Sequence, residues 1–374
     1  MFLVADIGTT FLKATLADQL GNVAAQPVRI RLDNPSFPDC WLLAFKKACI
    51  ELERLGTAID CIMITGHGPT AVPVTCDGKA PLAVLWDSLG NRSGTPDFVE
   101  RVRFLREKHP QVFEKTRLIL GSAEYICWVL TGCACTSRPA RGFEHFYQND
   151  DRLRKNNLDP ALFAPFMDSG KLLGTVRKTG FLKSGTPVLV PCPDYIPAII
   201  GSGTVRPGMM CIRSGTGDGI NLCTSERIEK PEFMTSAHPN GKDWNLGRII
   251  PRTGIAVEKA IQEANLENEN WEKALHHPHV LPVLERICRE TVQAVDAIRD
   301  IGITEVRIAQ GSMDSNLLNR MRSAYLGLPV STLEYPETGL QGLAVLAAAS
   351  VGNMDIAQTA QAVVRIRKTY NEKL

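Results

Sequence analysis

Residues 1–66 carry an order of elements that few α/β chains share. Residues 2–6 read as a short buried strand and residues 11–17 as a second, with the tight turn Gly8-Thr9-Thr10 between them. After a turn from Asp18 to Asn22, residues 23–31 read as a third strand. A helix is predicted over about 39–55, because Trp41, Leu42, Phe45, Ala48, Cys49 and Leu52 recur at helical spacing and Gly56 fits its stop. Residues 60–65 are then an apolar strand that ends at Gly66. A dinucleotide-binding domain would open strand, helix, strand, so that class is excluded.

The middle of the chain, about residues 97–175, reads as mostly helical, and residues 187–190 as a buried strand leading into Pro191-Cys192-Pro193-Asp194. Gly201-Ser202-Gly203 and Arg206-Pro207-Gly208 mark a domain boundary, giving domains 1–200 and 201–374. A length of 374 residues fits two domains. The opening pattern then recurs: strand 209–213, a turn from Ser214 to Gly219, and a return strand 220–223. Helices follow at about 253–265, 281–299, 314–326, 338–351 and from 355 onward, with strands at 305–309 and 329–334. The two halves are expected to share a common core.

Composition removes several function classes. With 42 basic and 40 acidic side chains, the net charge of +2 gives no electrostatic case for nucleic acid or an anionic membrane. Arg101, Arg103 and Arg106 cluster, but Glu100 and Glu107 flank them, which reads as a solvated helix face. Eleven scattered cysteines suggest free thiols in a reducing compartment. Cys133 with Cys135, and the run His276-His277-Pro278-His279, read as loop or core residues rather than metal sites. The N-terminal run meets Asp6 too early for a signal peptide, and no stretch approaches a membrane span. A cytoplasmic protein is expected.

Three segments carry chemistry. In Asp6-Ile7-Gly8-Thr9-Thr10, Gly8 allows a tight turn with exposed N–H groups, and Thr9 and Thr10 add hydroxyls, so the turn suits phosphate oxygens. Asp6 at the strand end suits a magnesium ion held through water, and Lys13 either adds charge or points to solvent. The rival reading is an ordinary hairpin. The second turn, Ser214-Gly215-Thr216-Gly217-Asp218-Gly219, suits phosphate from the other domain, although Asp218 would repel it unless a metal intervened. Here too a plain glycine turn is a rival. Asp194 follows a buried strand, where it fits either a general base or a helix N-cap.

Taken together, these segments resemble the FGGY family of carbohydrate kinases, within the actin/hexokinase/Hsp70 superfamily. The similarity runs in the family's order: Asp6 to Thr10; Gly66-His67-Gly68-Pro69-Thr70 through Asp77-Gly78; Leu85-Trp86-Asp87 with Arg92; Ala123-Glu124-Tyr125-Ile126 through Leu130-Thr131-Gly132; Pro187 to Asp194; Gly215-Thr216; and Gly311-Ser312 through Gly342-Leu343-Ala344. The chain differs in being shorter, mainly between Gly219 and Gly311. It also has Asp87 directly after Trp86, and Ala309-Gln310-Gly311-Ser312 where paired glycines are usual.

The resemblance implies an α/β fold of two actin-like ATPase (ribonuclease H-like) domains flanking a cleft. It implies ATP and Mg2+ as cofactors, and a small sugar or polyol as substrate. Gly8, Thr9, Thr10, Lys13, Gly215, Thr216, Gly311 and Ser312 would bind the nucleotide. Asp6 would place the metal, and His67, Trp86, Asp87 and Arg92 would contact the acceptor. Asp194 would be the general base. The shortened second domain, Asp218 and the altered adenosine segment motivate an alternative: a regulatory relative that binds sugar or nucleotide without turnover. A homodimer is compatible with either.

Overall fold

The computed structural model describes residues 1–89, 97–309 and 314–372. The chain separates into two compact units, Met1–Pro197 with Leu343–Met354, and Ala198–Gly342 with Asp355–Leu374.

The first unit opens with β1 (Phe2–Ile7), β2 (Phe11–Ala17), β3 (Val28–Arg31), α1 (Pro38–Glu53) and β4 (Cys61–Gly66). This is the order expected from the sequence, with the third strand shorter than expected. Leu3, Ala5 and Ile7 alternate onto one face of the sheet and pack with Leu12, Ala14 and Leu16 against Trp41, Phe45, Ala48 and Leu52 of α1. The side chain of Asp6 therefore leaves on the opposite face. Pro38 sits in the first turn of α1, where its missing N–H costs nothing.

The stretch expected to be mostly helical is more mixed. β5 (Val72–Thr75) leads to α2 (Phe98–Lys108) and α3 (Pro110–Lys115). β6 (Thr116–Leu120), α4 (Ser122–Thr131), β7 (Thr136–Ser137) and α5 (Asp150–Lys155) come next. β8 (Phe166–Met167), β9 (Leu172–Thr175), β10 (Pro187–Leu189), β11 (Cys192–Pro193) and α6 (Tyr195–Gly201) complete the run. β6 pairs with β5 and β8 with β7. These strands are too short to show a period of two in the sequence. The main sheet runs β3-β2-β1-β4-β10-β9, with β11 also on β4. β4 is parallel to β1, β10 and β11.

The second unit repeats this plan. β12 (Met209–Ser214) and β13 (Asp218–Thr224) form the hairpin. β14 (Met234–Ala237), β15 (Trp244–Ile250), α7 (Thr253–Glu263), α8 (Trp271–Leu275) and α9 (Leu281–Asp296) follow. β16 (Glu305–Ala309), α10 (Asn316–Leu326), β17 (Val330–Leu333), α11 (Thr338–Gly352), α12 (Ile356–Val363) and β18 (Ile366–Tyr370) close the chain. The sheet order is β14-β15-β13-β12-β16-β17-β18. Its core, β15-β13-β12-β16-β17, matches β3-β2-β1-β4-β10 in order and direction. The sequence reading had not placed β14, β15 or β18. None of the described helices is long and apolar enough to cross a membrane.

Within the second unit, Gly201 at the end of α6 lies against the first turn of α11. A Cβ there would come within 1.8 Å of the Thr338 carbonyl oxygen. Replacing a helical glycine by alanine ordinarily stabilises by about 0.5–1 kcal/mol. Here the clash reverses the sign, and Gly201→Ala is expected to cost about 1–3 kcal/mol. Urea denaturation of the variant checks this, and an unchanged or higher midpoint would contradict the close approach.

Candidate active site

The first hairpin is built by its glycine. The Gly8 N–H donates to the Phe11 carbonyl at 3.0 Å, and a Cβ on Gly8 would lie 2.8 Å from that same oxygen. Any other residue would force the turn open. Thr10 is exposed, and its carbonyl accepts from Leu32 N–H at 2.9 Å, which ties the turn to the end of β3. Asp6 stands in register with Lys13 on β2 and Thr65 on β4, so the three leave the sheet on one face.

Asp194 is half-buried directly after β11, and α6 begins at the next residue. Burial first, and then the charges of Glu124, Asp194 and Asp6, push the Cys192 thiol above its usual range. Burial first, and then Glu124 and Asp194, likewise push the Tyr147 phenol upward. All three carboxylates therefore lie within electrostatic range of Cys192. Glu124 is oriented by Ser137, whose N–H and hydroxyl donate to it at 3.2 and 2.7 Å. Among the described residues, no three metal-ligating side chains come close enough together to hold a metal ion. Glu124 lay in a segment matched to the family without an assigned role, and nothing local in the sequence marks Tyr147.

The segment around Trp86 is tied to the hairpin. The Trp86 indole N–H donates to Thr9 Oγ1 at 3.3 Å. Trp86 is half-buried and Asp87 exposed, whereas Arg92 lies outside the described residues. Arg101 corrects the reading of a solvated basic face. It is 5% exposed, and its guanidinium donates to the carbonyls of Trp86 at 2.5 Å and Asp97 at 2.8 Å.

His67 is packed rather than displayed. It is 5% exposed, its Nδ1 lies 2.8 Å from Thr70 Oγ1, and its ring meets Trp41 edge-on at 5.2 Å. Its Nε2 is buried without a hydrogen-bond partner among the described residues.

In the second unit, Gly215 and Thr216 are exposed at the tip of the β12–β13 hairpin. The backbone of α7 abuts them: a Cβ on Gly254 would fall 2.0 Å from the Gly215 oxygen. Asp218 does not face outward. It is buried in an ion pair with Arg322 of α10 at 2.7 Å, which removes the repulsion expected from its sequence position. Arg322 falls between Leu318 and Leu326 on the buried face of its helix, a spacing legible in the sequence. Gly311 and Ser312 lie outside the described residues.

Two aspartate-bearing strand ends, glycine hairpins and a duplicated sheet are the features of a two-domain actin-like ATPase fold. The brucella protein described as a xyloylose kinase, from Brucella ovis, shares that fold over 99% of this chain and 94% of its own, with a TM-score of 0.83 at 17% identity. No family model matches the chain.

Among curated relatives, the xylulose kinase of Streptomyces rubiginosus is 27% identical over 198 residues. That match spans 50% of this chain and only 40% of the relative. The L-fuculokinase of Escherichia coli K12 is 19% identical over 99% of this chain and 96% of its own length. These similarities place the chain beside the FGGY-type carbohydrate kinases, as a shorter relative.

Burial lowers His67 and His238 to about 4 from 6.5. Both are neutral in the folded protein, so the unfolded chain binds protons first as the pH falls. Stability is complete above about pH 6.5 and is lost towards about pH 4, by at most about 3 kcal/mol per histidine. Urea midpoints measured across that range should fall with pH, and His67→Gln should flatten part of the slope. An identical slope in the variant would rule His67 out.

Proposed function

We propose that this chain transfers the γ-phosphoryl group of ATP to a hydroxyl of a sugar or polyol. One observation carries the reading. Asp6 with its glycine hairpin, and Asp194, stand at the ends of strands that pair in parallel with β4, Asp6 opposite Thr65 and Asp194 one residue past the Pro193–Gly66 pair. Similarity to sugar kinases along the chain supports it.

When bound, magnesium-ATP supplies the phosphoryl group and neutralises its charge. The Gly8 turn with the Thr9 and Thr10 hydroxyls would hold phosphate oxygens, as would the turn at Gly215 and Thr216. Lys13 would add positive charge on the face that carries Asp6, and Asp6 would help hold the metal. Gly311 and Ser312 would belong to the nucleotide contacts. Trp86, Asp87 and Arg92 would hold the acceptor, whereas the Nε2 of His67 is buried. Asp194 accepts the proton of the attacking hydroxyl, while Glu124, close enough to bear on the same Cys192, keeps negative charge at that end of the sheet.

A coupled ADP-release screen over pentuloses, hexuloses, aldoses and polyols tests this. Asp194→Asn is expected to lower turnover by at least about 100-fold while leaving the circular dichroism unchanged. Full activity in that variant would remove Asp194 from the reaction. Stabilisation by ATP with magnesium, but no ADP release on any acceptor, would point instead to a binding relative without turnover.

A further inference from the structure

We propose that Arg322 and Asp218 form a positioning pair that sets the geometry of the second phosphate hairpin, and with it the affinity for the nucleotide's phosphates. This rests on the reading that Gly215 and Thr216 hold phosphate.

The two residues that close the hairpin, Ser214 and Asp218, are register partners, with Gly215-Thr216-Gly217 between them. Arg322 holds both. Its Nη2 donates to Asp218 Oδ2 at 2.7 Å and to Ser214 Oγ at 2.9 Å. The other carboxylate oxygen of Asp218 accepts from the Thr253 hydroxyl at 2.9 Å, and Thr253 is the first residue of α7. Arg322 and Asp218 side chains are 1% and 3% exposed. One buried cluster thus fixes the mouth of the hairpin to α10 and to the start of α7.

The backbone leaves little slack around that cluster. A Cβ on Gly217 would meet the Ile250 oxygen at 2.8 Å, and the Ile255 N–H reaches the Thr216 carbonyl at 3.4 Å. The turn thus packs against the end of β15 and the first turn of α7. A rigid turn matters for phosphate because N–H and hydroxyl donors act at full strength only when they are already aimed. A buried ion pair adds little net stability over apolar residues of the same volume, so conformational specificity is the better account of its presence. Neither residue touches the ligand in this scheme, and both act through the turn.

The test compares ATP with adenosine, which lacks phosphates. Calorimetric titration of the whole protein with magnesium-ATP, and separately with adenosine, uses two variants that leave no lone buried charge. Arg322→Met combined with Asp218→Leu removes both charges, and Ser214→Ala removes one link while keeping the ion pair. The double variant is expected to weaken ATP about tenfold, the loss of one charge-assisted hydrogen bond, and Ser214→Ala about threefold. Adenosine affinity should stay within about twofold of the wild type in both. Equal weakening of ATP and adenosine, or unchanged ATP affinity in the folded double variant, would overturn the proposal. Should the double variant fail to fold, Ser214→Ala decides on the same two ligands. A wild-type protein that binds neither ligand rejects the nucleotide reading itself and the proposal with it, whereas a wild type that binds ATP but shows no phosphate-selective loss rejects the proposal alone.

Discussion

Parallel pairing decides where chemistry can collect in this chain. β1, β4 and β11 run the same way, so their C-terminal ends emerge at one edge of the first sheet. Asp6 and Gly8 leave the end of β1, Gly66 and His67 the end of β4, and Asp194 the end of β11. Residues far apart in sequence become neighbours because each sits just past a strand that had to be buried. In open α/β sheets this edge is where ligands are bound. The second unit obeys the same rule: β12 ends at Ser214, immediately before Gly215 and Thr216.

The two hairpins share a plan and differ in how they are held. The first is held by backbone, through Gly8 to Phe11 and Leu32 to Thr10. The second is held by a buried charge pair that spans its mouth. Surface ion pairs such as Arg103–Glu107 contribute little to either arrangement. A buried pair is different, since removing one partner strands a charge in the core. That asymmetry makes Asp218 and Arg322 hard to lose singly.

Much of this was legible in the sequence. The opening strands, α1 and β16 follow from apolar periodicity, and the Gly8 and Gly215 turns from residue type. Short strands were not legible. β7 and β11 each span two residues, and their pairing comes from partners far away in the chain. Charged residues misled in two places for one reason. Arg101 was read as solvated and Asp218 as facing phosphate, because local composition shows a charge but not the distant carbonyl or guanidinium that satisfies it. His67 shows the converse. The resemblance implied an acceptor contact there, and the residue packs against Trp41 just past the end of β4.

The hydrogen bond between Trp86 and Thr9 has a chemical consequence for both partners. Thr9 Oγ1 accepts from the indole, so the hydroxyl's own proton is left to donate. Accepting one hydrogen bond also polarises the hydroxyl towards donating the next. Trp86 in turn is fixed through its carbonyl by Arg101, which is buried and holds Asp97 as well. Arg101, Trp86 and Thr9 thus form one hydrogen-bonded piece that runs from α2 to the Gly8 hairpin. A side chain held at both ends in this way cannot move without disturbing the hairpin.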